Sequence, residues 1–547
     1  MFNKLNKLSI TNKIKAFHNN CDLKKSKMRG FHSYKFLLLL GIFSFFCLSG
    51  KLLAQGSKVE IVNANSIQYN SMVFGNVKRL IGNVIFKQSG VTLKCDSAYF
   101  FSNNTVDAYG HVHVQKGGSL NIRGELMHYD GNLKLAHILR NVVLVDEKTI
   151  LHTQAMDYDI KTSSGSYVVG GEIRSGENTL HSQEGYYYSN EHSYLFRRNV
   201  IYKNPEYTIH SDTMRLNSIT NVASFYGPTH ITTKDNKIYC ERGWYNSSRS
   251  IAELTKKAVV TGKNQYIRAD TLYYDKKNEI GKAFSNITMI DTAQNVIMQG
   301  NYAEYHKKNQ HFLMTNRALI IKIDKPDTLF LHAEKFTSDP DTLPNQKILK
   351  AFYKVKLFRP DMQGKCDSMV YTTADSIIRL YKEPVLWNQE NQLSANEIRL
   401  YTKNRVMDHA EFIGAAFIAS KEDSTKFNQI KGKEMTGYFK DNEIYRLNIK
   451  GNGQTIYFPK DKDKFIGVNK AESSDLIIYI KDRKVDRIIF LKKPVATLYP
   501  LGQLSPQEMV LDNFKWEEQY RPHSKEDIFT WENSPQLKQP FNKKKKK

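Results

Sequence analysis

The chain has 547 residues, a formal charge of +25, an isoelectric point near 9.5 and 12% aromatic residues. Its mean hydropathy of −0.52 excludes a polytopic helical membrane protein. The 31 tyrosines favour strands over helices, and the basic balance suits a phosphorylated or membrane-surface partner.

Residues 1–27 read as a dispensable basic extension, which leaves Met28 as an alternative start. Met28-Arg29 and Lys35 then precede the apolar run FLLLLGIFSFFCL at 36–48, which is short of the ~20 residues a spanning helix needs. It ends at LLAQG, so residues 28–54 read as a secretory signal peptide cut after Ala54. Cys47 lacks the preceding small residues of a lipoprotein signal. Export argues against nucleic acid as a partner.

From residue 55 onward the chain repeats itself. Apolar anchors stand at Leu93, Ile122, Leu151, Leu180, Ile209, Ile238 and Ile267, always 29 residues apart. The series goes on, with small insertions, at Met298, Leu331, Gly364 and Leu393. Two residues past each anchor the side chain is small, as at Cys95, Ser182, Ser211, Cys240, Ala269 and Cys366. The next position is an acid or amide, such as Asp96, Glu125, Gln154, Gln183, Asp212 and Asp270. Five past the anchor stands Met127, Met156, Met214, Leu272, Met369 or Ile398, with Gly185, Gly243 and Ala303 elsewhere. Seven past, it is usually aromatic, as at Tyr129, Tyr158 and Tyr274.

Anchor and small residue alternate as on a strand, and so do the next apolar pair. Between them the phase slips by one, so the strand bulges or bends there. The acid sits at the slip, where it can bond a freed backbone N–H. The second half of each unit, as in AYGHVHV, LRNVVLV, FRRNVIY, FYGPTHI and FSNITMI, holds Gly or Asn in mid-strand, which suits further bulges. Each unit is therefore two antiparallel passes creased in the middle. Stacked, they give an elongated all-β trough of about a dozen units with unpaired edges at both ends. Residues 55–340 hold the regular repeats and 341–500 continue them, degenerate after 421. Residues 501–547 look like a cap or docking segment ending in the Lys543–Lys547 run, which reads as a solvated tail.

Three columns suggest chemistry. Cys95, Cys240 and Cys366 occupy the small core position and are too widely spaced along the stack for a disulfide. His152, His181 and His210 recur at anchor+1 with a pass between neighbours, too far apart for one zinc ion, and read as an outward polar stripe. The acid column switches to glutamine, which cannot serve as a general acid. The Met and aromatic columns remain: a packed core, or a groove for acyl chains, since Met adapts to irregular ligands and Gly185, Gly243 and Ala303 leave gaps.

LKCDSAYFFSNNTVDAYGHVHV (93–114) and IRADTLYYDKKNEIGKAFSNITM (267–289) resemble the OstA/LptA family, whose members include a periplasmic lipopolysaccharide bridge and the N-terminal domain of an outer-membrane translocon. The resemblance covers about 60–420 well. It implies an antiparallel β-jellyroll in the periplasm, without catalysis or cofactor, binding lipopolysaccharide or a related glycolipid. It also implies transport-pathway partners that pair with the open β-edges. The interior columns, Met127, Tyr129, Met156, Tyr158, Met214, Leu272, Tyr274, Met369 and Ile398, are then the lipid-binding candidates. No membrane barrel fits in the residues left after the repeats. The rival reading is structural: a parallel β-solenoid acting as a surface adhesin or polysaccharide-binding protein.

Overall fold

The computed structural model describes residues 58–69, 76–117, 120–146, 149–323, 327–403, 406–440, 443–462, 464–481 and 484–532. The expected extension, signal peptide and terminal lysine run lie outside them. A separate unit begins at Val59. Among its described residues, 34 strands join one long sheet, and every pairing is antiparallel. The parallel solenoid is thereby overturned: each long pass bonds to the pass before it and the pass after it. Val91–Phe101, for example, lies between Val77–Gln88 and Thr105–Lys116. The sheet runs without interruption through Thr328–Pro340, Lys347–Arg359 and Met362–Thr372.

Pass lengths alternate, 11 residues in Val91–Phe101 and Leu120–Asp130 against 12 in Thr105–Lys116 and Leu135–Asp146. The extra length is the crease. Tyr109 pairs with Leu126 and Val112 with Gly124, so Gly110 and His111 together oppose Glu125. Both have positive φ, 75° and 40°. The same left-handed pair returns at Arg140-Asn141, Lys256-Lys257, Ser285-Asn286, Asn316-Arg317 and Tyr353-Lys354.

The bulge is thus on the passes that flank the acid, and of the two expected outcomes the acid-bearing strand takes the bend. Two consecutive left-handed residues are costly for anything but glycine, and the acid offsets that cost. Asp96 Oδ2 lies 2.7 Å from His111 Nδ1, Lys257 Nζ donates to Glu241 at 2.7 Å, and Asn286 Nδ2 donates to Asp270 at 2.7 Å. The expected bond from a freed backbone N–H occurs as well, from Asn286 to Asn301 at 3.2 Å and from Gly451 to Asp475 at 3.2 Å. More often the acid takes the side chain of the second bulge residue.

The crease folds each pass into two half-strands, and the two resulting half-sheets face each other across an apolar interior. Leu80 and Val84 stand either side of one crease and are both buried. The gaps expected at the small positions are filled from neighbouring strands. A Cβ on Gly185 would meet the Tyr167 ring at 2.3 Å, and one on Gly243 would meet Glu253 O at 2.7 Å and Leu254 at 3.0 Å.

Residues 501–532 pack on the sheet from outside. They form a strap that runs back along the outside of one half-sheet. Leu504, Met509 and Leu511 pack on Ile456, Phe458 and Val468, and Trp516 packs on Phe417, Ala419 and Phe427. Gln429 accepts from Leu511 N at 2.8 Å and donates to Met509 O at 3.0 Å. Gln392 does the same to Glu517 N at 2.8 Å and Lys515 O at 2.7 Å. In both cases a buried side-chain amide grips residues two apart, as a neighbouring β-strand would. Farther along, Lys356 Nζ donates to Thr530 O at 2.6 Å, and Phe529 lies against His332. Burial under the strap pulls the Lys356 ammonium down to about 8.

Candidate functional site

The interior has two deep rows beside the crease and a shallow row near the rim of each half-sheet. The deep rows are buried along most of the chain, because they touch each other. The shallow rows distinguish one stretch from another. One of them can be followed strand by strand: Tyr187, Tyr194, Leu216, Ala223, Tyr245, Ala252, Tyr274, Gly281, Tyr305, Phe312, Ser338, Leu349, Tyr371, Ile378 and Leu400.

Up to Tyr194 this row is sealed. The opposing rims are latched there: Tyr129 Oη donates to Gln88, whose amide donates to Gly131 O at 2.8 Å. Lys116 reaches Ser163, and Tyr194 Oη donates to Asp146 at 3.3 Å. A looser latch, the exposed Lys276–Glu206 pair at 2.9 Å, follows. Beyond it the row opens: Tyr274 is 46% exposed, Tyr305 43% and Leu349 38%. Across from it Ile238, Ile267, Met289, Met298 and Ile320 are only half-buried. From Leu400 the row is buried again. The packed core follows the same division: one cluster ends at Phe225, another begins at Ala269, and a small one around Cys240, Leu254 and Ala258 lies between. An apolar trough is therefore open between roughly Tyr274 and Ile378 and filled on both sides.

The nine candidate residues divide accordingly. Met127, Tyr129, Met156, Tyr158, Met214 and Ile398 point inward and are enclosed. Leu272 and Met369 are half-buried. Tyr274 belongs to the same register but stands exposed, because its cross-strand neighbours are Ala252 and Gly281 and the latch beside it is the solvent-exposed Lys276–Glu206 pair. Burial raises the phenols of Tyr129 and Tyr158, the latter to about 12. The rim beside the open trough is basic: Lys276-Lys277 and Lys307-Lys308 occupy exposed turns next to Tyr274 and Tyr305.

Cys95, Cys240 and Cys366 are free and buried, as their small column requires. Burial raises the Cys95 thiol to about 12 and the Cys240 thiol to about 11. Since the thiolate is the reactive form, iodoacetamide at pH 8 is expected to leave all three intact in the folded protein and to alkylate all three in denaturant. Peptide mapping checks this, and alkylation of native Cys95 would contradict the packing. Between His152 and His181 lies Glu172, paired across both strands.

The signals for the open stretch were present but weak. Small residues accumulate in its deep rows, at Ala258, Ala269, Ala283, Gly300, Ala303, Ala318 and Ala333. No period reports whether a tyrosine at the rim finds a partner on the other side.

Two facing half-sheets of creased antiparallel passes with an apolar interior define a β-jellyroll trough. The OstA-like protein family matches residues 56–212 and 211–322, and the family described as LptA/(LptD N-terminal domain) LPS transport protein matches 326–406. The chain is an OstA/LptA-like protein. No curated protein sequence matches it. Among solved structures it is similar to LptH, the LptA homologous periplasmic component of the conserved lipopolysaccharide transport device from Pseudomonas aeruginosa. The identity is 16%, over 21% of this chain and 93% of that one, with a TM-score of 0.20. The assignment rests on the family matches.

Proposed function

We propose that this protein is a non-catalytic periplasmic carrier that binds lipopolysaccharide or a related glycolipid and bridges it toward the outer membrane. The observation that carries this reading is the open apolar trough with its basic rim. Alkyl chains would lie against Leu272, Tyr274, Met289, Met298 and Met369, where exposed apolar surface can be buried. Phosphorylated headgroups would stay outside near Lys277 and Lys308. The enclosed residues Met127, Tyr129, Met156, Tyr158, Met214 and Ile398 would serve as the wall, reached by lipid only if the latched rims part.

The terminal strands support hand-over to partners in the same pathway. Among the described residues, Glu60–Asn63 and Ser66–Tyr69 pair on one side only, with Val77–Gln88, and Val495–Tyr499 pairs only with Val468–Lys481. Val62, Ile67, Tyr69, Val495 and Leu498 are exposed on these edges, and such edges accept a further strand. Export by residues 28–54 would place the chain in the periplasm.

Lipid extraction and mass spectrometry on protein purified from its own envelope tests the proposal. One class of glycolipid enriched well above its share of the membrane is expected. Recovery of bulk phospholipid in membrane proportions would overturn it.

A further inference from the structure

One unit breaks the crease pattern. Its pass is split into Ser164–Tyr167 and Gly171–Ser175, and in place of the left-handed pair it has a three-residue excursion, Val168-Val169-Gly170. Val168 is 69% exposed and Val169 57%. The excursion is held in shape from below: Thr153 Oγ1 donates to Gly170 O at 2.8 Å, and Tyr167 Oη lies 2.6 Å from Ser182 Oγ. Above these bonds is a cavity of about 500 Å³. Around its mouth stand the exposed side chains of Asn141, His152, Gln154, His181, Gln183 and Asn199.

Among the described residues, no Asp, Glu, Lys or Arg lines this cavity, in a chain of which 25% is charged. Other creases hold an ion pair on the acid position itself, including Glu241–Lys257, Glu334–Lys354 and Lys382–Asp367, whereas the pair at this crease, Arg198–Glu184 at 2.9 Å, uses the residue after Gln183 and lies outside the lining. Here two successive acid positions are Gln154 and Gln183. A side-chain amide offers a donor and an acceptor side by side, which matches the paired hydroxyls of a pyranose. An anion would find no lysine or arginine in the lining, and an alkyl chain would leave the amides unpaired. Val142 and Val143 in the lining supply an apolar surface for the C–H face of a sugar ring. We propose that this crease binds a neutral saccharide unit, on the outside of the sheet and independently of the trough.

Saturation-transfer NMR on the chain from residue 55 onward tests this, with methyl α-glucoside, methyl α-mannoside, N-acetylglucosamine and glucose 6-phosphate each at about 10 mM, enough to fill a site of about 1 mM affinity. At least one neutral sugar is expected to receive saturation, and its signal is expected to fall fivefold or more in the Gln154→Ala/Gln183→Ala double variant. Both side chains face outward, so the variant is expected to melt with the parent. Should it melt early, His181→Trp obstructs the mouth from an exposed lining position and is expected to give the same loss. Glu241→Ala, at a distant crease, is expected to change nothing. Absence of transfer from every neutral sugar, transfer unaffected by both the double variant and His181→Trp, or a preference for the phosphorylated sugar would each overturn the proposal.

Discussion

A benzoyl-phenyl photo-crosslinker in place of Tyr274 is expected to capture glycolipid in envelope preparations at least tenfold more than the same group in place of Tyr158. The comparison is controlled by the repeat itself. Both residues stand seven past their anchors and point to the same side of the same half-sheet. Tyr274 is 46% exposed in the open trough, and Tyr158 is fully buried behind latched rims. Both replacements exchange one aromatic ring for another, although the larger group must be accommodated in a close-packed interior at Tyr158. Thermal melts of both proteins therefore accompany the labelling. Leu272 provides a second test position, half-buried beside Leu254 and Ala283. Equal labelling at 158 and 274 in folded protein would mean that lipid occupies the whole interior, with the latches open during transport. No labelling at 274 or 272 would remove the trough as the lipid path.

The second large effect concerns the strap. Lys365 and Glu517 form an ion pair at 2.5 Å with side chains only 6% and 12% exposed, and the Lys365 ammonium also lies 4.6 Å from the centre of the Tyr520 ring. Removing one member of a buried pair leaves the other charge without compensation, at a cost of about 3 kcal/mol. Glu517→Ala is therefore expected to raise the rate of proteolytic cleavage within residues 501–532 by roughly 100-fold, provided that cleavage follows the population of the undocked strap. The Lys365→Met/Glu517→Met double variant is expected to recover most of that protection, since apolar replacement of both partners is tolerated. Unchanged cleavage in the single variant would show that the strap is held elsewhere, by Gln392, Gln429 and Trp516. Deleting residues 501–532 would expose Trp387, Phe417 and Phe427 together, a patch large enough to drive self-association, which light scattering would detect.

The legible part of this protein was its period. Leu93 and Cys95 mark one face, Ala98 marks the same face after a slip, and Gly110, Asn141, Asn199, Gly227 and Asn286 mark the bulges. These signals are local: they depend on side-chain alternation and on which residues accept positive φ. Their recurrence every 29 residues was enough to establish creased antiparallel passes and an apolar interior. Whether the acid strand bulges or bends was left open for an equally local reason. A phase slip on one strand can be met by that strand or by its neighbours, and the sequence of a single pass cannot distinguish the two. Lys256-Lys257 and Tyr353-Lys354 adopt the left-handed pair without Gly or Asn, because Glu241 and Glu334 on the adjacent pass hold Lys257 and Lys354.

By itself, then, the sequence determined the repeating strand, its crease and the inward columns, because each depends on residues within one or two passes. Only the tertiary structure decided where the trough is open and where it is filled. That depends on contacts such as Tyr129 to Gln88 and Tyr194 to Asp146, made 41 and 48 residues apart across the mouth of the fold. It also depends on the strap, whose Lys515 and Glu517 meet Gln392 more than a hundred residues away. No periodicity encodes partners at such separations; they follow from how far each half-sheet leans toward the other.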